Sequence, residues 1–123
     1  MAYIDGFVAA VEVAKKEAYI THAQEAWAIM QEYGAIAVAE CWGDDVPDGE
    51  LTSFPLAVKA EEGEVVVFSW VTWPDKTARD EGWAKLMTDD RMNAASMPFD
   101  GKRMIYGGFE LVWEASAAAA AAE

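Results

Sequence analysis

Apolar and polar positions change period several times along the chain, and each change marks an element boundary. From Tyr3 to Val11 the residues are mostly apolar and β-prone, broken only by Asp5-Gly6, which predicts a strand with a bulge or close backbone approach near its start. Lys15 to Tyr33 holds neither Pro nor Gly and stops at Gly34, a residue suited to the left-handed position after a helix, so a long helix is predicted there. Ala35–Trp42 reads as a second strand, ended by the turn formers and acids of residues 43–49. Glu50–Lys59 is expected to be an irregular excursion or short strand. Val65–Trp73 is the most β-rich run in the chain and forms the third strand. Asp75 is placed to cap a second helix from Lys76 to about Met87. Asp89–Lys102 reads as loop, with a short helical turn at Arg91–Ala95, before a fourth strand over Met104–Trp113. Residues 1–114 are expected to form one domain, and the alanine-rich tail, 115–123, frayed helix or disorder.

The order β-α-β then β-α-β predicts an α+β, ferredoxin-like fold: a four-stranded antiparallel sheet with both helices on one face. Parity in the third strand adds a second expectation. Val66, Phe68 and Trp70 fall on one side, and Val65, Val67, Val71 and Trp73 surround Ser69 on the other, so both faces are apolar. Helices cover one face only. A second copy packed sheet to sheet about a twofold axis is the simplest cover for the other, which predicts a homodimer with a barrel-like core.

Composition narrows the function classes. Nine basic residues stand against 22 acidic ones in 123, a net charge of −13, which disfavours nucleic acid and anionic membrane surfaces as partners. No apolar run approaches the length of a membrane span, and no signal core follows the first residues. With Cys41 as the one cysteine, a cytoplasmic protein without an internal disulfide is expected.

Four runs carry a resemblance: Tyr3-Ile4-Asp5-Gly6-Phe7, the stretch from Glu40 to Gly49, Val66-Val67-Phe68-Ser69-Trp70, and the stretch from Met97 to Phe109. Together they resemble the bacterial YbaA-like family, a family of unknown function, over Ala2 to about Val112. The resemblance implies the dimeric α/β-barrel superfamily, whose other branches include cofactor-free monooxygenases, muconolactone-isomerase-like enzymes and haem-binding peroxidases. It implies no activity for this branch.

Ala35, Ala37, Ala39 and Cys41 form a stripe of small side chains along the second strand. Close packing by a neighbour is the plainer account; the sharper one is a small apolar ligand bound over Ala37 and Ala39, within aromatic walls supplied by Trp27, Trp70 and Trp113. Glu40, flanked on its own side by Val38 and Trp42, and His22, the lone imidazole, are the candidate general bases of a cofactor-independent enzyme. Each also has a structural reading, as a paired carboxylate or a hydrogen-bonded helix residue. Haem ligation by His22 has no support in the local sequence. Asp5 and Glu110 interrupt apolar strands in the same way as Glu40. The first helix is wider in its apolar face than one core stripe needs, which opens a third alternative: an engineered scaffold whose Ile20, Trp27 and Trp83 converge on one pocket or partner surface. No cofactor is expected, and no metal: the acids at 44–50 place Val46 where a calcium loop needs an oxygen ligand.

Overall fold

A computed structural model describes residues 1–94 and 97–117. Strand β1, Tyr3–Glu12, leads through a 3-10 turn at Val13–Lys15 into helix α1, Lys16–Glu32. Gly34 ends the helix with φ +107°, and the Ala35 N–H turns back to the Met30 carbonyl at 3.2 Å. Because Ala35 is spent on closing the helix, β2 begins two residues later than its apolar run and covers Ala37–Trp42. The 50–59 excursion contains a single helical turn, α2 (Phe54–Ala57), whose cap is Ser53 accepting from the Leu56 N–H at 3.1 Å. Strand β3 spans Glu64–Trp73, and α3, Lys76–Leu86, starts at Asp75, which accepts from the Ala78 N–H at 2.8 Å as the sequence predicts. A short α4, Asp90–Ala94, follows; Ala95 of the predicted turn, and 118–123 of the tail, lie outside the described residues. Strand β4 covers only Ile105–Glu110. Its partner β1 starts at Tyr3, opposite Glu110, so after one further bond from Leu111 N–H to the Ala2 carbonyl the chain has nothing left to pair with.

The four strands form one antiparallel sheet in the order β2-β3-β1-β4, an α+β arrangement of the ferredoxin-like kind. Glu40 lies opposite Ser69, Ser69 opposite Phe7, and Phe7 opposite Tyr106, so these four side chains share a face. That face carries the helices. Val11 and Val67 are buried against Tyr19 of α1, while Val71 and Trp73 are buried against Ile29, Met30 and Leu86. At Gly82 the contact leaves no room for a side chain: an added Cβ would lie 2.5 Å from the Trp73 ring.

The opposite face is partly covered by the chain itself. Val58 and Ala60, just after α2, bury Val8, Ala10 and Val66. Phe54 leans on Phe68 at 6.1 Å between ring centroids. Beyond this flap the face is open, with Phe68 and Ile105 each 45% exposed and Phe109 62%. No helix among the described residues is long and apolar enough to cross a membrane.

Candidate functional site

Between the sheet and its helices lies a cavity of about 530 Å³. Small side chains help make the space: Ala9 on β1 and Ala23 and Ala26 on α1 all line it, where larger residues would take up volume. Its floor comes from the helix-facing side of the sheet, including Asp5, Phe7, Val38, Glu40 and Ser69. Trp83 of α3 and the Phe99–Met104 segment wall its sides, and Tyr106 of β4 joins the floor beside Phe7. Five of the six methionines, Met30, Met87, Met92, Met97 and Met104, converge on it from four separate segments. Met30 is buried, while Met87 and Met97 are exposed and stand at the rim. Unbranched thioethers give such a wall an adaptable, polarisable surface.

The chain segments around the cavity are held by ion pairs. Arg103 donates to both carboxylate oxygens of Glu64, at 2.8 Å each, to Asp100 at 3.1 Å and to the Lys59 carbonyl at 2.9 Å. The guanidinium pulls the Glu64 carboxyl down to about 2. At the other end Arg91 bonds Glu32 and Asp89, and the Tyr33 hydroxyl donates to Asp89 at 2.6 Å.

Two carboxylates reach the cavity, and their surroundings differ. Asp5, 3% exposed, accepts from the indole N–H of Trp73 at 2.9 Å and of Trp83 at 2.7 Å. Arg79 adds Nε at 3.1 Å to both oxygens and Nη2 at 2.7 Å to Oδ1. The pair raises the Arg79 guanidinium above its ordinary value, and its charge is shared with Asp80 at 2.9 Å. Asp5 is thus a saturated, charge-balanced anchor between β1 and α3.

Glu40 has no such counter-ion among the described residues. Its Oε1 accepts from the Tyr19 hydroxyl at 2.5 Å, and Ser69, its cross-strand neighbour, adds a second hydroxyl. Burial of the carboxyl raises its pKa, and the two hydroxyls, which favour the charged form, offset only part of that. Glu40 is accessible, as a group lining an open cavity must be, yet the protein packed around its carboxyl desolvates it. Tyr19 is driven well above the ordinary phenol range, by burial first and by the adjacent carboxylate second. Tyr19 therefore stays a hydrogen-bond donor, and Glu40 is the group able to take up or release a proton.

The structure brings two of the sequence-predicted residues together: Glu40 and His22 both line the cavity. Ala37, Ala39 and Trp70 lie on the opposite, open face of the sheet, because their β2 and β3 parity is the other one. Cys41 is exposed on that same face. Trp27 packs against the core cluster around Met30 and Trp73 without lining the cavity. Trp113 is 81% exposed beyond the end of β4. Ile20, Trp27 and Trp83 do not converge: Trp83 alone among them faces the cavity, and Ile20 is exposed on α1. Glu110 is exposed at an edge strand. Among the described residues no group of His, Cys, Asp or Glu could hold a metal ion. The sequence reading missed Asp5 with Arg79, the Tyr19 bond and the converging methionines. The flanks of Glu40 were the available signal, since Val38 and Trp42 mark the bulkier, helix-facing parity of β2.

Comparison with known proteins places the chain in a family and adds no activity. The chain is 55% identical over 114 residues, covering 91% of itself and 97% of the relative, to the uncharacterized protein YbaA of Escherichia coli, and matches YbaA of Shigella flexneri to the same extent. A family model described as "protein of unknown function (DUF1428)" matches residues 2–101. With most of its length matched on both counts, the chain belongs to the DUF1428 family, together with the YbaA proteins.

Proposed function

We propose that this protein binds a small, predominantly apolar molecule in the cavity between sheet and helices, and that it does so as a cytoplasmic homodimer. The cavity itself carries the first part. Its volume of about 530 Å³ lies within the range of small-molecule sites, about 300–1,000 Å³. Its lining is mainly thioether, aromatic and aliphatic; apart from the mutually paired Asp5 and Arg79 and from His22 and Tyr106, its polar groups are Glu40, Tyr19 and Ser69, clustered as a spot that would orient a bound molecule.

The open sheet face supports the second part. Between the Glu12–Glu64 pair at one end and the far edge, the side chains on this face include Ile4, Ala39, Phe68, Trp70, Ile105 and Phe109, and none bears a formal charge. A quarter of the chain is charged, so a face of this size without charge is suited to self-association.

A second reading makes Glu40 a general base in a cofactor-independent enzyme, favoured by its raised pKa and its bond to Tyr19. One experiment addresses both. With methyl-labelled methionine, titration with 2-phenylethanol and its ammonium and carboxylate counterparts should move the signals of Met30, Met92 and Met104 and leave Met1 in place; no movement with any of these probes, or equal movement of all six signals, overturns the binding reading. Run in deuterium oxide with carbon acids of similar size, the same experiment shows catalysis as exchange that Glu40→Gln abolishes; no exchange above buffer rules the enzyme reading out for those compounds.

A further inference from the structure

We infer that the molecule taken up by the cavity is a cation: a small hydrophobic amine whose ammonium group sits at Glu40 and whose apolar body lies among the methionines and rings. This rests on the binding reading above and specifies its ligand class. Among the described residues the cavity wall holds six side chains able to ionise: Asp5, Tyr19, His22, Glu40, Arg79 and Tyr106. Asp5 and Arg79 neutralise each other, with Asp80 also on the guanidinium, so that end offers no unbalanced positive charge to an anion. Glu40, in contrast, is met only by the hydroxyls of Tyr19 and Ser69. No Lys, Arg or His nitrogen lies within 4.0 Å of its carboxylate among the described residues. A desolvated carboxylate without a counter-ion gains more from an arriving ammonium than from a neutral hydroxyl, because the charge-assisted bond replaces the solvation it has lost.

Two further features favour the same choice. Phe7, Trp83, Phe99 and Tyr106 present rings to the cavity, and aromatic faces attract ammonium groups. The chain's net charge of −13 raises the local concentration of cations and lowers that of anions before contact is made.

The test compares three probes of nearly equal shape, 2-phenylethylammonium, 2-phenylethanol and phenylacetate, on the intact protein at neutral pH. Affinities are read by calorimetry and located by the methionine methyl signals. The ammonium is expected to bind about tenfold or more tighter than the alcohol, with the carboxylate weakest. In Glu40→Gln the advantage of the ammonium over the alcohol should fall to about twofold or less. A second readout needs no variant: in the unaltered protein the ammonium should lower the titration midpoint of the Glu40 carboxyl, followed by carbon-13 resonance, and the alcohol should not. If the alcohol binds as tightly as the ammonium, or the carboxylate binds best, the inference fails while the binding reading stands. If none of the three moves the methionine signals, both fail together.

Discussion

The two acids in the cavity show how far environment, rather than residue type, decides chemical role. Asp5 holds two indole N–H groups and a bidentate guanidinium, and a carboxylate so occupied works as a structural pin. Glu40 has only hydroxyl donors, and burial lifts it above the ordinary glutamate value. The sign of the resulting pH dependence follows directly. The stabilisation associated with protonated Glu40 is complete below the ordinary glutamate range, at about pH 4, and is lost as pH rises through the raised value. Glu64, pulled down to about 2 by Arg103, behaves in the opposite sense: its contribution is present above the ordinary range and disappears as the pH falls towards 2. Because the Tyr19 hydroxyl favours the ionised form of Glu40, Tyr19→Phe should raise the Glu40 pKa further and extend the loss of stability to higher pH. The lost bond itself should cost about 1 kcal/mol. Carbon-13 titration of the Glu40 carboxyl, with urea unfolding at several pH values, measures both; an unchanged or lowered midpoint contradicts the assignment.

Among the elements, the long helix α1, the Asp75-capped helix α3 and all four strands were legible in the sequence, because period, Gly34 and Asp75 report local preferences that tertiary packing here reinforces. Which face of the sheet the helices take was not legible. Both parities of β3 are apolar, so hydrophobicity alone could not say that Val67, Ser69 and Val71 lie under the helices while Phe68 and Trp70 face outward. That ambiguity is why Ala37, Ala39 and Trp70 look like pocket residues in the sequence but share no surface with Glu40. Lys59 illustrates another limit: it adopts φ +50° after α2, a turn without glycine that its Arg103 contact helps to hold. The α3–sheet contact gives a decisive case for packing against propensity. Gly82→Ala should gain up to about 1 kcal/mol in helix propensity. Against this, the new methyl meets the Trp73 ring at 2.5 Å and the Tyr33 carbonyl at 2.8 Å, inside a core where Trp73 is fully buried. Overpacking of this kind costs about 1–3 kcal/mol, so the net effect should be destabilising. A lowered urea midpoint with unchanged slope is the expected result, and a stabilised variant would show that α3 can retreat from the sheet at no cost.

For the whole molecule, charge and shape set opposing demands. Each chain carries −13, so two copies repel at long range, whereas the uncharged open face, led by Phe68, Trp70, Ile105 and Phe109, gains by being covered. The flap at Val58 and Ala60 shields the end of this face near Glu12 and Glu64, which leaves the half over β2, the start of β1 and β4 uncovered as the surface for the proposed second copy. The two terms respond differently to salt. Apolar burial is little affected by moderate ionic strength, while repulsion is screened as the Debye length falls from about 30 Å at 0.01 M to about 8 Å at 0.15 M. Self-association through this face should therefore tighten as salt is added over that range, the reverse of what a contact built on ion pairs would do. Sedimentation equilibrium across the same series measures it. Phe68→Glu, which places a charge in the middle of the face without touching the helix side, should weaken the proposed self-association by about tenfold or more and leave the cavity's methionine signals where they were. A chain that stays monomeric at every salt concentration would mean that the exposed rings of the open face are tolerated in water.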